Sequence, residues 1–326
     1  MNFANSEKVR MKAKWNRQFR AEDMLPSGYQ LKSRSLNFLD ASRDLSIEYF
    51  QDKNVVWHLH SNHALSSQVA CLNFLMPLAI RPHLLANCIA SALGEPIEEM
   101  LPVESTEDGT PLFVGFEWPG LKDYLGESSG KDPRRGANAT NADAIVRFKA
   151  GGKIETVLIE WKYTESYGAT QQSWSDRNHV RRGRYEDRAF APDGPIRGDC
   201  GLEIEDFFHE PVYQMLRQQM LAWQMEKAQE NDASRVRVLH ISPTENLALH
   251  RMTAPALPVG DIFKVFQSLL IDPESFCNVS TTKMFAPLLT KSEADGATQD
   301  WINQLVQRYP FAFPDLSEST EKLPPR

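Results

Sequence analysis

The chain has 326 residues, 41% hydrophobic and 24% charged, a composition typical of a folded globular protein with a substantial core. Its formal net charge of -7 disfavours a protein that coats nucleic acid non-specifically, but allows an enzyme with a local basic groove. No apolar run approaches the roughly 18 residues that cross a bilayer, and the N-terminus lacks the apolar stretch of a secretory signal. The 4 cysteines form no CxxC pair, which argues against structural zinc and a disulfide scaffold. We therefore expect a cytoplasmic protein without a membrane partner.

The first half of the chain predicts helices followed by a strand and a loop. Residues 1–25 are basic and polar, as in a solvated helix or loose terminus, or alternatively an arm along a DNA backbone. Residues 66–93 predict two helices, and residues 112–118 predict a strand. Residues 119–142 are rich in Gly, Asn, Ser and Arg, which predicts a long surface loop of the kind that often carries function.

The second half predicts a hairpin, a helix, a strand and further helices. Residues 164–208 hold few apolar residues and are expected to be mostly irregular. The predicted elements are strands at Ala142–Lys149, Lys153–Tyr163 and Arg235–Ser242, and helices at Glu210–Lys227, about 259–271 and 298–308. This order predicts an α/β fold in a single domain.

A glycine pair sets the register of the predicted hairpin. Gly-Gly is a favoured two-residue loop because both positions tolerate positive φ. With Gly151-Gly152 as the loop, Ala150 pairs with Lys153, and counting outward places Asp143 opposite Glu160. Directly opposed residues of antiparallel strands have Cβ atoms about 4.5–5.5 Å apart on one face. The register therefore predicts two carboxylates side by side.

Paired carboxylates repel each other unless something positive lies between them. Mg²⁺ or Mn²⁺ would meet that need, since both prefer oxygen ligands. The two-residue period of a strand places Lys162 on the face of Glu160, where it could orient a water nucleophile or stabilise charge on a phosphate. A Glu–Lys surface ion pair is the simpler alternative for these two residues.

Asp143 with Glu160-Trp161-Lys162 resembles the D…(D/E)xK signature of the PD-(D/E)xK nuclease superfamily. More narrowly, the chain is similar to a bacterial group of restriction-endonuclease-like proteins over roughly residues 55–245. The segments that carry this similarity are 62–68 with Asn73, 123–127, 135–143 and 158–165. The sequence departs from the signature at Asn141-Ala142, where the signature has a proline before the aspartate.

The resemblance implies a restriction-endonuclease-like α/β core, in which a mixed central sheet of about four strands is flanked by helices. Helical additions at 1–54 and 246–326 would complete a single nuclease domain over 1–326. The resemblance also implies that Asp143, Glu160 and the main-chain carbonyl of Trp161 bind Mg²⁺ or Mn²⁺. Lys162 would position the water that attacks phosphorus, leaving a 5′-phosphate and a 3′-hydroxyl.

Four further residues are candidates to complete the catalytic site. Glu117 lies late in the strand beside the hairpin, and Glu127 lies in the long loop. Gln214 and Gln218 are one helical turn apart, and the resemblance implies that a glutamine here faces the active site. A solvated strand end or helix face is the alternative in each case.

Several residues are candidates to contact nucleic acid. The densest basic run follows the catalytic strand in the segment expected to be irregular, and could track phosphates or be a solvated loop. Gln68 is either a neighbour of the active site or part of a helix cap. The candidates are Arg177, Arg181, Arg182, Arg184, Arg135 and Gln68. His58, His60 and His63 do not make a zinc set, because the HxHxxH spacing puts no three rings on one helical face.

The leading functional hypothesis is a magnesium-dependent endonuclease that hydrolyses DNA phosphodiester bonds, in restriction or another anti-phage defence. A repair or recombination nuclease of the same fold is one alternative. A non-catalytic nucleic-acid-binding protein with a degenerate site is another, and an activity unrelated to nucleic acid is a third. DNA is the expected partner, RNA is the alternative substrate, and double-strand cutting would suggest a homodimer.

Overall fold

The computed structural model describes residues 2–129, 131–137, 139–168, 175–290, 295–314 and 316. The α-helices of this part of the chain are α1 (Phe3–Gln18), α2 (Asp40–Asp52), α3 (Ser67–Leu75), α4 (Pro82–Leu93), α5 (Ser175–Ala189), α6 (Val212–Lys227), α7 (Ile262–Ser268), α8 (Thr281–Phe285) and α9 (Gly296–Arg308). The strands are β1 (Glu99–Leu101), β2 (Glu104–Ser105), β3 (Pro111–Leu112), β4 (Val114–Trp118), β5 (Ala142–Ala150), β6 (Lys153–Trp161), β7 (Arg235–Ser242) and β8 (Phe276–Ser280).

A mixed sheet of 6 described strands forms the centre, in the order β1-β5-β6-β7-β8, with β4 also paired to β5. The strands β1, β4 and β6 run antiparallel to β5, whereas β6, β7 and β8 run parallel to one another. The sheet is thus larger than the expected four strands. The short β1 and the edge strand β8 were missed, because neither carries the run of alternating apolar residues that predicts a strand.

The hairpin between β5 and β6 confirms the predicted register. Ala150 pairs with Lys153, and Val146 pairs with Val157. Gly151 and Gly152 have φ values of 55° and 72°, the positive values that the two-residue loop requires. The sequence therefore fixes how the two strands that carry Asp143 and Glu160 align.

Helices cover both faces of the sheet. Val157, Ile159 and Trp161 pack into an apolar cluster with residues of α3, α4 and α9. Leu158, between them, packs on the opposite face with residues of α6 and α7. This alternation along β6 places α3 and α6 on opposite sides of the strand ends where the candidate site lies.

The structure corrects in part what the sequence predicts for two polar segments. The segment 164–208 contains α5, whose Tyr185 and Ala189 are buried one helical turn apart while charged residues cover its other faces. The N-terminal segment is no free arm, because Met11 and Trp15 of α1 are buried. In the described part of the chain, no helix has both the length and the apolar character to span a bilayer.

Candidate active site

A buried ion pair occupies the end of β6. The side chains of Glu160 and Lys162 are 3% and 7% exposed, and Lys162 Nζ lies 2.5 Å from Glu160 Oε1. Two residues apart on a strand, they face the same side, as the sequence predicts. The ammonium also donates to Gln214 Oε1 on α6, at 2.7 Å. A buried charge pair of this kind contributes little to stability by itself, which makes a functional role the better reason for its presence.

Gln218 connects both strands of the hairpin to α6. Its Nε2 donates to Glu160 Oε2 at 2.9 Å and to the main-chain oxygen of Asn141 at 2.7 Å. Gln214 and Gln218 are four residues apart and so share one helix face, which is turned toward Glu160 and Lys162. The structure thus brings both predicted glutamines to the candidate site.

Asp143 lies at the end of β5, where the regular pairing with β6 stops. The ladder runs outward from the turn as far as Ala144 and Ile159. Beyond it, Asp143 Oδ2 accepts a hydrogen bond from the Trp161 main-chain N–H at 2.7 Å. Ala142 and Ala144 pack in the clusters on opposite faces, so the strict alternation of side chains is interrupted at Asp143. Asp143 and Glu160 therefore do not form the regular cross-strand pair that the register predicts. Instead, the side chain of Asp143 turns toward the main chain of Trp161.

Electrostatics still couple the two carboxylates. Burial raises the pKa of Asp143 well above its usual range, the negative charge of Glu160 raises it further, and Lys162 lowers it only in part. Burial also raises the pKa of Glu160, against the lowering effect of Lys162. Burial lowers the pKa of Lys162, but the negative groups around it, of which Glu160 is the strongest, together outweigh burial, and the net shift is well upward. One ammonium thus compensates two buried carboxylates incompletely, which favours a further positive charge at this end of the hairpin.

Glu117 occupies the position on β4 next to Asp143. Phe116 pairs with Ala144 and Trp118 with Ala142, so Glu117 and Asp143 lie at the same level of the sheet. Glu117 has φ of 51°, a left-handed conformation that strains a residue with a side chain. The carboxylate is buried and accepts a hydrogen bond from Gln68 on α3.

His58 is a member of the site that the sequence did not reveal. Its Nε2 lies 3.4 Å from Glu117 Oε1, and its side chain is 48% exposed. Gln68 holds both residues: its Nε2 donates to Glu117 Oε1 at 2.6 Å, and its Oε1 accepts from the His58 main-chain N–H at 3.0 Å. The pairing of His58 with Glu117, 59 positions apart in the numbering, leaves no local signal in the sequence.

A polar cavity of about 190 Å³ opens at this end of the sheet, and we call it the hairpin-end cavity. Its walls come from β4, β5, α6 and the loop before β5. The lining side chains include His58, Glu117, Asp143, Gln214, Arg217 and Gln218. Carboxylates, amides and cations thus converge on a space that a phosphate group and a few waters could occupy.

The donors fit a hard divalent cation that keeps several waters. No three His, Cys, Asp or Glu side chains of the described residues come together closely enough to hold a metal by themselves. The set implied by the resemblance needs only two carboxylates, from Asp143 and Glu160, with the carbonyl of Trp161. That carbonyl accepts a bond of 3.2 Å from Ser67 Oγ, which leaves it a second lone pair. The incomplete compensation of the two carboxylates is the observation that favours such an ion.

Arg217 is a second residue that the sequence did not reveal as part of the site. Its Nη1 donates to Thr140 Oγ1 at 3.1 Å, and its guanidinium lies 4.8 Å from the ring centroid of Tyr213. Its charge lowers the pKa of Glu160. The helical spacing could have revealed Arg217, because it lies three residues after Gln214 and therefore on the same face of α6.

Two predicted nucleic-acid contacts are corrected. The Arg135 side chain is 14% exposed and pairs with Glu104, 2.8 Å away, besides donating to the Phe116 carbonyl. Gln68 is buried and uses both ends of its amide on Glu117 and His58. Both side chains therefore hold the structure around the site together.

The remaining arginines lie on α5, where the sequence predicted an irregular segment. Arg182 forms ion pairs with Glu186 and Glu205, at 2.8 and 3.2 Å. Arg181 is half-buried, with its guanidinium 5.1 Å from the ring centroid of Tyr213, and Arg184 lies 5.8 Å from that of Tyr185. The side chain of Arg177 lies outside the described residues. The expected cluster of solvated cations is thus partly neutralised and partly packed against aromatic rings.

Glu127 is placed outside the hairpin-end cavity. Its carboxylate accepts hydrogen bonds from the main chain and hydroxyl of Thr140 and from the hydroxyl of Tyr185, the last at 2.6 Å. It therefore fastens the long loop to α5 and to the start of β5. Of the two candidate glutamates, Glu117 is the one that lines the cavity.

Comparisons with known proteins give a family for this fold and site. No curated protein and no solved structure matches the chain significantly. One family model, described as "Restriction Endonuclease associating with ARP", matches residues 2–310. The match covers nearly the whole chain, including every residue of the candidate site. The chain therefore belongs to this restriction-endonuclease family.

Proposed function

We propose that this protein is a magnesium-dependent DNA endonuclease with a PD-(D/E)xK site formed by Asp143, Glu160 and Lys162. The observation that carries the proposal is the buried Glu160–Lys162 pair, which Gln214 and Gln218 join to α6 beside Asp143. Membership of a restriction-endonuclease family supports nuclease activity and DNA as its substrate. From the same family description we also propose a role in restriction or in another defence against foreign DNA.

Each residue then has a defined task. Asp143, Glu160 and the carbonyl of Trp161 would hold Mg²⁺ or Mn²⁺, which supplies a polarised phosphate and an acidified water. Lys162 already points its ammonium at Glu160 Oε1, so it would hold the attacking water and balance charge as it grows on the phosphate. Gln218 fixes the orientation of Glu160, and its second bond to Asn141 holds the start of β5 in place.

Two further proposals concern the proteins with which this chain acts. The family description names ARP as an associate, so we propose that this chain acts together with such a partner on DNA. Cutting of both DNA strands would require two active sites, and a homodimer is the simplest arrangement that supplies them. RNA remains the alternative substrate to compare.

Cleavage of plasmid and single-stranded substrates with the purified protein tests the proposal. Cutting should require Mg²⁺ or Mn²⁺ and stop on addition of EDTA. Asp143→Asn, Glu160→Gln and Lys162→Ala should each abolish cutting while circular dichroism shows a folded protein. The products should carry a 5′-phosphate and a 3′-hydroxyl.

Glu155→Gln is the matched control. Glu155 is a buried acid on the same strand as Glu160, but it pairs with Arg237 at 2.7 Å away from the hairpin-end cavity. The control variant should cut DNA at the rate of the wild type. Cutting that survives both Glu160→Gln and Lys162→Ala would exclude the proposed site.

A further inference from the structure

His58, Glu117 and Gln68 form a hydrogen-bonded unit on the side of the hairpin-end cavity that faces α3. Gln68 on α3 donates to Glu117 Oε1 at 2.6 Å and accepts from the His58 main chain at 3.0 Å. Glu117 Oε1 lies 3.4 Å from His58 Nε2. A buried carboxylate thus orients a half-exposed imidazole, an arrangement that fixes which ring nitrogen faces away from the carboxylate.

The backbone of Glu117 supports a functional reason for this unit. A φ of 51° at a residue with a side chain is strained, and such strain persists mainly where the surrounding structure requires it. Phe116 and Trp118 pack in the clusters on opposite faces of the sheet, so the alternation of side chains along β4 is interrupted at Glu117. The strained conformation places the carboxylate where both Gln68 and His58 can reach it.

Hydrolysis of a phosphodiester needs a proton that the groups around Glu160 do not provide well. The leaving 3′ oxygen is a strong base, so its departure is faster when an acid protonates it. Lys162 is buried, and its ammonium already donates hydrogen bonds to Glu160 and Gln214, so it is poorly placed to reach a leaving oxygen. His58 lines the hairpin-end cavity together with Asp143 and is accessible to solvent.

We propose that His58 is the general acid of the reaction, with Glu117 and Gln68 as its positioning residues. The proposal rests on the proposed nuclease function. A water oxygen bonds to phosphorus and its proton leaves to solvent, while the bond from phosphorus to the 3′ oxygen breaks. The 3′ oxygen keeps the electron pair and takes a proton from His58 Nδ1, the nitrogen that does not face Glu117. Solvent then returns a proton to the imidazole.

The charges around His58 favour its acidic form. The hydrogen bond to Glu117 raises the pKa of His58 above its usual value and outweighs the effect of burial. The charge of Glu117 raises that pKa further, Lys162 lowers it, and Glu160 raises it. An imidazole whose protonated form is favoured in this way is suited to donating a proton and regaining it from water.

A substrate with a sulfur in place of the leaving 3′ oxygen tests the proposal. A thiolate leaves without protonation, so loss of a general acid slows cleavage of the ordinary duplex but not of the sulfur-containing one. The sulfur would be placed at a position where wild type cuts the ordinary duplex, and Mn²⁺ would be used for both substrates. His58→Gln should slow cleavage of the ordinary duplex by about 10²–10⁴-fold, and that of the sulfur duplex at most a few-fold.

Two further variants make the result specific. Glu117→Gln keeps the size of the side chain and should show the same selective loss to a smaller degree, because His58 loses its carboxylate partner. His60→Gln alters an exposed histidine of the same loop, outside the cavity lining, and should cut both duplexes like the wild type. Melting temperatures would show that each variant is folded.

The remaining outcomes contradict the proposal in distinguishable ways. An equal loss on both duplexes in His58→Gln would mean that His58 only binds or positions the phosphate. An undiminished rate on the ordinary duplex would remove His58 from the reaction altogether. Failure of the wild type to cut either duplex would overturn the nuclease function itself, and the role of His58 would fall with it.

Discussion

Gln218 donates one hydrogen bond to the Glu160 carboxylate and another to the main-chain oxygen of Asn141, two residues before Asp143. A single amide on α6 therefore spans the two strand ends that carry the acidic residues. Its own carbonyl oxygen is buried and has no hydrogen-bond partner among the described residues. A buried acceptor without a partner is uncommon in folded proteins, and Gln218 is also one of the residues that line the hairpin-end cavity.

Gln218→Ala should lower the cleavage rate by about 10–100-fold, since loss of a residue that orients a metal ligand typically has an effect of this size. The fall should appear together with a higher requirement for Mg²⁺, measured by titrating the metal in the cleavage assay. Gln219→Ala is the matched control, because Gln219 is buried on the same helix but bonds to Ser275 at 2.8 Å. Equal activity of the two variants would show that Gln218 has no special role.

The raised pKa of Asp143 predicts how stability depends on pH in the absence of metal. Burial and the charge of Glu160 raise this pKa in the folded state, whereas the unfolded value is about 3.9. The folded protein then binds the proton more tightly, so ionisation of Asp143 destabilises it as pH rises above about 4 through the raised folded value. Urea unfolding in EDTA should show Asp143→Asn gaining stability relative to the wild type across this range.

Divalent metal should reverse that relationship. A metal ion binds the ionised carboxylates, so it stabilises the wild type more strongly as pH rises. Mg²⁺ should therefore raise the melting temperature of the wild type more at high pH than at low pH, and should leave Asp143→Asn nearly unchanged. A stabilisation of equal size in both proteins would place the ion elsewhere.

The sequence was sufficient to predict the register of the hairpin and the contact between Glu160 and Lys162. Gly151-Gly152 favours a tight two-residue turn, and the register follows from that turn by counting, as the pairing of Val146 with Val157 confirms. The period of two in β6 likewise gives the contact between Glu160 and Lys162. These relationships are local, so they depend on backbone geometry that neighbouring residues specify.

The sequence alone did not predict the contacts between segments that lie far apart along the chain. Arg135 appeared to be one of several exposed cations, but the strand pair β2–β3 brings Glu104 to it. His58 meets Glu117 only because α3 and β4 pack together around Gln68. The turn of Asp143 toward the Trp161 N–H also escapes the pattern, since regular alternation along β5 predicts a different direction. Tertiary packing, and not the local spacing of residues in the sequence, decides which groups meet in these three cases.

The corrected role of Arg135 predicts a defect in stability. Its guanidinium pairs with Glu104 and donates to the Phe116 carbonyl, so Arg135→Gln leaves a largely buried carboxylate without its partner. Breaking such a pair costs roughly 3 kcal/mol or more. Urea unfolding should show this loss in Arg135→Gln but not in Arg134→Gln, whose side chain is exposed. A stable Arg135→Gln with weakened DNA binding would instead restore the nucleic-acid contact expected from the sequence.

Arg217 predicts a defect in DNA binding from within the cavity wall. Its Nε is buried without a hydrogen-bond partner among the described residues, while Nη1 bonds to Thr140. A planar guanidinium with unused donors matches a phosphate group, which an ammonium would not match as well. Arg217→Gln should weaken DNA binding in EDTA and reduce the slope of log affinity against log salt by about 1.

Two comparison variants separate charge from geometry at Arg217. Arg217→Lys keeps the charge, so it should restore the salt slope without restoring full affinity, because a lysine cannot offer two parallel donors. Arg235→Gln removes an arginine at the start of β7 that pairs with Asp272 at 3.0 Å, outside the cavity lining, and should leave binding unchanged. Fluorescence anisotropy from about 50 to 200 mM salt gives the slopes. An identical slope in wild type and Arg217→Gln would mean that this guanidinium neutralises no phosphate and serves only to hold Thr140 against α6.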